Sequence, residues 1–152
     1  MNMRTRGLFL LASIIVMQAC SKVPVTGRRQ FNVVSTGQIA SMVDAQYKET
    51  LQTSTILPAS DPRTQMVRSC GQRIATAVES FLNDNGMKDR VSEFNWEFNV
   101  ADDPTVNAWC MPGGKVLFYT GILPITADET GLAVVMGHEV AHAVARHGNE
   151  RM

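Results

Sequence analysis

The chain has 152 residues, the size of one modest domain, and 45 % of them are apolar, enough to build a core. Lys and Arg together number 14, as do Asp and Glu, so the formal charge balances. No basic surplus is left to neutralise phosphates, and no nucleic-acid partner is expected.

Arg4 and Arg6 precede an apolar run from Leu8 to Met17, followed by Gln18-Ala19-Cys20. The run falls well short of the about 20 residues a membrane-spanning helix needs, so residues 1–19 read as a signal peptide. The boundary resembles a bacterial lipobox, with Met17 where Leu is usual. Lipidation of Cys20 is therefore expected, with the membrane as a partner through the N-terminal lipid. An ordinary secretory signal is the plainer reading. Ser21 after Cys20 suggests the outer membrane, facing the periplasm. Cys70 and Cys110 are then left as a pair, either bonded in an oxidising compartment or buried and reduced.

Residues 20–34 read as an extended tether containing Pro24 and Gly27. Ser35 and Gln38 have capping-box spacing, which predicts a first helix running to about Leu51. Asp61 as N-cap and Pro62 at the first helical position open a second helix. Its apolar face is predicted at Val67, Cys70, Ile74, Val78 and Phe81, and it ends near residues 83–86. Trp96, Phe98 and Val100 alternate with Glu97 and Asn99, the period of a half-buried strand. Residues 109–120 read as a hairpin or two adjacent strands around Pro112-Gly113-Gly114. Thr126 and Glu129 have capping-box spacing for a last, largely buried helix that runs to about His147. The fold class is α+β, with residues 35–152 in the folded domain.

That last helix carries His138-Glu139-Val140-Ala141-His142, an HExxH motif. Residues four apart share a helix face, so both rings can address one metal ion at about 2.0–2.1 Å. The expected cofactor is one Zn2+ per chain. Glu139 projects about 100° around from His138, placed to act as a general base without ligating the metal. All three histidines of the chain lie between positions 138 and 147, which argues against two unrelated surface histidines. Gly137 is costly inside a helix, by about 1 kcal/mol, and suggests close approach of another backbone or of substrate. His147 lies about half a turn around from His138 and faces away from the metal, so it is read with Arg146 as capping the helix and pairing with acidic groups. A third ligand is not evident. Glu129 and Glu150 are poorly placed, and Glu93 and Glu97 stay open.

The stretch Asn107-Ala108-Trp109-Cys110-Met111-Pro112-Gly113-Gly114-Lys115-Val116, then Thr120-Gly121-Ile122-Leu123, the HExxH and Ala145-Arg146-His147 together resemble the M48 zinc metallopeptidases of the Oma1, Ste24 and HtpX type. The soluble bacterial lipoprotein branch fits best. The resemblance implies a gluzincin-like fold, helices packed with a small sheet whose edge strand lies over the zinc helix. It places that strand near Lys115 to Thr120, making Gly114, Lys115, Val116 and Leu117 candidate substrate-binding residues by strand pairing. It implies polypeptide substrates and endopeptidase quality control of envelope proteins. It also implies a third ligand Glu and an oxyanion stabiliser, both expected beyond residue 152, so that this chain would be a C-terminally truncated peptidase. The rival readings are a non-catalytic lipoprotein that binds misfolded or assembling proteins, and a fragment with no function of its own.

Overall fold

Helix punctuation and strand alternation organise the chain as the sequence leads one to expect, with departures that matter for the site. The structure is a computed structural model and describes residues 20–22, 29–31 and 36–146. The signal-peptide reading of residues 1–19 lies outside the described residues. Within the expected tether, Cys20–Lys22 (β1) and Arg29–Phe31 (β2) pair antiparallel, Cys20 opposite Phe31.

Thr36–Thr53 forms helix α1, and its buried contacts come from Ile39 and Tyr47, two turns apart on one face. Pro62–Asp84 forms α2. Its start is as expected: the Asp61 carboxylate accepts from the Arg63 amide at 2.8 Å, and Pro62 has no amide to leave unsatisfied. Its buried face includes the predicted Val67 and Cys70, with Ile74 and Val78 packed against the core, but is wider than predicted. Thr64, Val67, Cys70, Gly71, Ala75 and Leu82 are buried, whereas Phe81 is 41 % exposed. The face is widened by Gly71, where a Cβ would lie 2.4 Å from the Phe98 ring. Small residues at 71 and 75 let the sheet close on that side, and of the predicted face only Phe81 is left out.

Three strands make the sheet: Glu97–Ala101 (β3), Ala108–Met111 (β4) and Lys115–Tyr119 (β5). Their order is β3-β5-β4, with β3 parallel and β4 antiparallel to β5. β4 and β5 are the expected hairpin, turning through Gly113 and Gly114 at φ of 79° and 83°. The outer side of β3 is partly occupied, since Leu57 donates to the Val100 carbonyl and Asp102 to that of Thr55. One face of the sheet buries Phe98, Val100, Ala108, Val116 and Phe118 in the main core with Val67, Leu132, Met136 and Val140. On the other face Tyr47 of α1 meets Trp109 edge to face and donates to the Val116 carbonyl at 3.3 Å.

After a short helix, Leu123–Thr126 (α3), the chain enters α4, Glu129–Val144. The predicted Thr126–Glu129 capping box does not form. Thr126 ends α3, donating to the Leu123 carbonyl at 2.8 Å, and Asp128 caps α4 by accepting from the Gly131 amide at 2.9 Å. Two good cap residues stand two positions apart, and Ala127, at a positive φ of 60°, separates the helices between them. The helix stops at Val144 rather than near His147, because Arg146 takes a left-handed conformation at φ 55°. Among the described residues no helix is long and apolar enough to cross a membrane.

Candidate metal centre

Helix α4 buries Leu132, Met136, Val140, Ala143 and Val144, and that stripe decides where the motif faces. Packing the stripe on the sheet and α2 turns His138 outward and leaves Glu139 and His142 half-buried. The two rings converge: Nε2 of His138 and Nε2 of His142 lie 3.1 Å apart, with ring planes at 89°. Two zinc–nitrogen bonds of about 2.0–2.1 Å at a tetrahedral angle span about 3.3–3.4 Å between the nitrogens. The pair therefore fits two corners of a zinc site with only a small outward movement.

Glu139 lies close enough to β4 for its charge to act on the Cys110 thiol. The half-buried Cys110 thiol on β4 is pushed up to about 12, first by burial and then by the Glu139 charge. A carboxylate beside two converging histidines is the arrangement that the motif implies.

The edge strand that contacts α4 is β4, and this corrects the expectation for Gly114, Lys115, Val116 and Leu117. β5 is the central strand, hydrogen-bonded to β3 on one side and β4 on the other, so it has no edge to offer a substrate. Lys115 is 3 % exposed, donating to the Asn95 carbonyl at 2.9 Å and pairing with Glu97. Val116 and Leu117 are fully buried, and Gly114 shapes the turn. The continuous apolar run of Val116, Leu117 and Phe118 was the available signal, since a strand covered on both faces loses polar alternation. Among the described residues, the free edge next to Glu139 belongs to Ala108–Met111.

The candidate third ligands are engaged elsewhere. Glu129 pairs with Arg73, Glu97 with Lys115, and Glu93 with both Arg90 and Arg146. Among the described residues no three metal-ligating side chains gather. Glu150 and His147 lie outside the described residues, and Arg146 pairs with an acid as expected. Gly137 is not explained by a close backbone, because an added Cβ would meet nothing within 4 Å. It opens instead on an apolar groove of about 540 Å³ between α2 and α4, lined by Ile74, Val78, Phe81, His138 and His142.

Cys70 and Cys110 do not form the disulfide left open by the sequence; both thiols are free. Cys70 is buried on α2, while Cys110 sits on β4 beside the helix α4. Burial raises both thiols above their ordinary value. Both stay protonated at pH 8, since a raised thiol is the neutral form until pH passes its folded value. A chromogenic disulfide reagent at pH 8 should therefore label neither thiol promptly in the native chain and both in urea. Prompt native labelling of Cys110 would contradict its placement.

A small mixed sheet packed by one face on a helix that carries two converging histidines and an intervening glutamate is the arrangement of a metallopeptidase domain. The chain belongs to peptidase family M48, whose family model matches residues 67–152. It is 40 % identical over 132 residues to the Mitochondrial metalloendopeptidase OMA1 of Schizosaccharomyces pombe, covering 86 % of this chain and 36 % of that protein. The protein of the same name in Saccharomyces cerevisiae is 33 % identical over 150 residues, 95 % of this chain and 43 % of that one. The Beta-barrel assembly-enhancing protease of Escherichia coli is 27 % identical over 124 residues, 82 % of this chain and 23 % of that one. The chain thus spans less than half the length of each of these relatives.

Proposed function

We propose that this chain carries the zinc-binding and base-bearing part of a metalloendopeptidase of the bacterial cell envelope that cleaves misfolded or misassembled proteins. The observation that carries the reading is the 3.1 Å convergence of the His138 and His142 nitrogens beside Glu139, under a free strand edge. His138 and His142 would hold one zinc ion. Bound there, zinc would supply Lewis acidity to a peptide carbonyl and acidify water. The chain's own residues do the rest. The Glu139 carboxylate takes a proton from the attacking water and returns it to the departing amine. The outer edge of Ala108–Met111 offers backbone donors and acceptors to an extended polypeptide, which would add as a further strand and lie across α4. Backbone pairing reads shape rather than sequence, which suits substrates recognised by being unfolded.

The envelope setting rests on the N-terminal pattern of Arg4, Arg6, Leu8 to Met17 and Cys20, with lipidation at Cys20 as anchor. The Escherichia coli relative, named for β-barrel assembly, fits that setting. A gluzincin-like arrangement, with its third ligand and oxyanion stabiliser supplied from outside the described residues, completes the reading. A second reading is a non-catalytic module that binds unfolded chains along β4, favoured by the lack of a third ligand among the described residues.

Zinc content tests the metal centre. Purified wild type should retain zinc through gel filtration, and His142→Ala should lose most of it, because one imidazole of the converging pair is gone. Equal zinc in both proteins would sink the site.

A further inference from the structure

We propose that Glu93 is a positioning residue for the metal ligand His142, acting through Arg90 and Arg146 on the last turn of α4. The inference rests on the zinc reading of His138 and His142. His142 sits in the final turn of its helix, which ends at Val144. Final turns fray, since their carbonyls have no partners within the helix. A ligand placed there needs the turn held from outside.

The fold supplies that hold. Arg90, on the 3-10 turn Lys88–Glu93, donates from Nη2 to the Val144 carbonyl at 3.1 Å. Glu93 accepts from Arg90 at 3.3 Å through one carboxylate oxygen and from Arg146 through the other. All three side chains are largely buried, at 14 to 23 % exposure. Arg146 occupies the left-handed position just past the helix, where Gly is the usual residue. A residue with a Cβ is kept in that conformation only when its surroundings hold it there. Its amide meanwhile donates to the Ala143 carbonyl at 3.0 Å. The ion pair and the turn therefore stabilise one another.

The same segment also grips the other wall of the cleft. Asn95 donates to the Gly113 carbonyl at 2.8 Å and Glu97 to that of Gly114 at 3.0 Å. Both hold the turn that joins β4 to β5. Residues 93–97 thus tie the end of the ligand helix to the base of the strand lying over it. Glu93 is the carboxylate at the centre of that tie. Removing its charge leaves two guanidinium groups facing one another, with Arg90 already disfavoured as a cation by burial and eased by Glu93.

The test uses the full chain and two readouts that need no proteolysis. The first is Zn2+ affinity of the folded protein by competition with a chromophoric chelator. The second is amide hydrogen exchange along α4. Glu93→Gln should weaken zinc binding about tenfold, the lower end of the loss seen when a supporting partner of a metal ligand is removed. It should speed exchange at residues 143–146 while leaving 132–137 as in wild type. Arg146→Gly keeps the left-handed backbone but removes the guanidinium, and should weaken zinc binding in the same direction. It also serves should Glu93→Gln not fold. Zinc affinity within twofold of wild type in the folded variants, with unchanged exchange at 143–146, would overturn the proposal. If wild type itself takes up no zinc, the metal reading falls, and the exchange result alone decides whether the clamp exists.

Discussion

Under the endopeptidase reading, replacing Glu139 with Gln should lower cleavage of casein at least about a hundredfold while leaving zinc content equal to wild type. The first half follows from proton chemistry: a positioned general base contributes about 10²–10⁴-fold, and an amide of the same size cannot accept the proton. The second half follows from geometry. The proposed zinc ligands are the rings of His138 and His142, whose nitrogens are 3.1 Å apart, and Glu139 is not one of them. The two readouts separate the rival functions. Loss of cleavage with zinc retained is the endopeptidase result. Zinc retained with no cleavage in either form is the result for a binding module, and would sink the catalytic reading of this chain. Equal cleavage by wild type and variant would remove Glu139 from the mechanism. Cys110 adds an internal control, because the Glu139 charge contributes to holding its thiol up. In Glu139→Gln the Cys110 thiol should titrate lower than in wild type.

What could be read in the sequence was local in origin. The convergence of His138 and His142 follows from a four-residue spacing on any helix, and the Asp61-Pro62 start of α2 follows from cap chemistry. The hairpin at Pro112-Gly113-Gly114 follows from the need for positive φ, which Gly113 and Gly114 show. What could not be read depends on partners distant in sequence. Strand order places β5 in the centre and gives the free edge to Ala108–Met111, because β3 arrives from upstream and pairs parallel with β5. The buried face of α2 is widened by the contact of Gly71 with Phe98, which apolar periodicity cannot register, as glycine has no side chain to count. Glu93, weighed as a metal ligand from its residue type alone, proves to be bound to Arg90 and Arg146, and Arg146 lies 53 residues away. The end of α4 differs for the same reason. The sequence predicts a helix running to about His147, but a left-handed Arg146 ends it earlier, held there by Glu93.

The position of β4 over the ligand helix rests on the turn before β5, and Gly114→Ala should be the most destabilising single-methyl change there. Two costs add at this residue. Its φ of 83° is strained for any residue with a Cβ, by about 1–2 kcal/mol. The new methyl would also lie 2.5 Å from the Trp96 ring. That ring cannot easily withdraw. It is stacked on Phe94 at 4.7 Å and on Phe98 at 6.2 Å, and its Nε1 donates to Glu79 at 3.0 Å. Forcing a methyl into such packing costs about 1–3 kcal/mol more, for a total of about 3 kcal/mol. Gly113→Ala separates the two contributions. Gly113 has a similar φ of 79°, but its added Cβ would meet only the Glu93 carbonyl at an ordinary 3.5 Å. It should lose about 1 kcal/mol, the backbone part alone. Urea unfolding of the three proteins, with slopes compared to confirm a common unfolded state, measures the difference directly. Equal midpoints for the two variants would mean that Trp96 does not press on the turn. The larger loss at Gly114 would show that the aromatic stack of Phe94, Trp96 and Phe98 presses on the turn that joins β4 to β5.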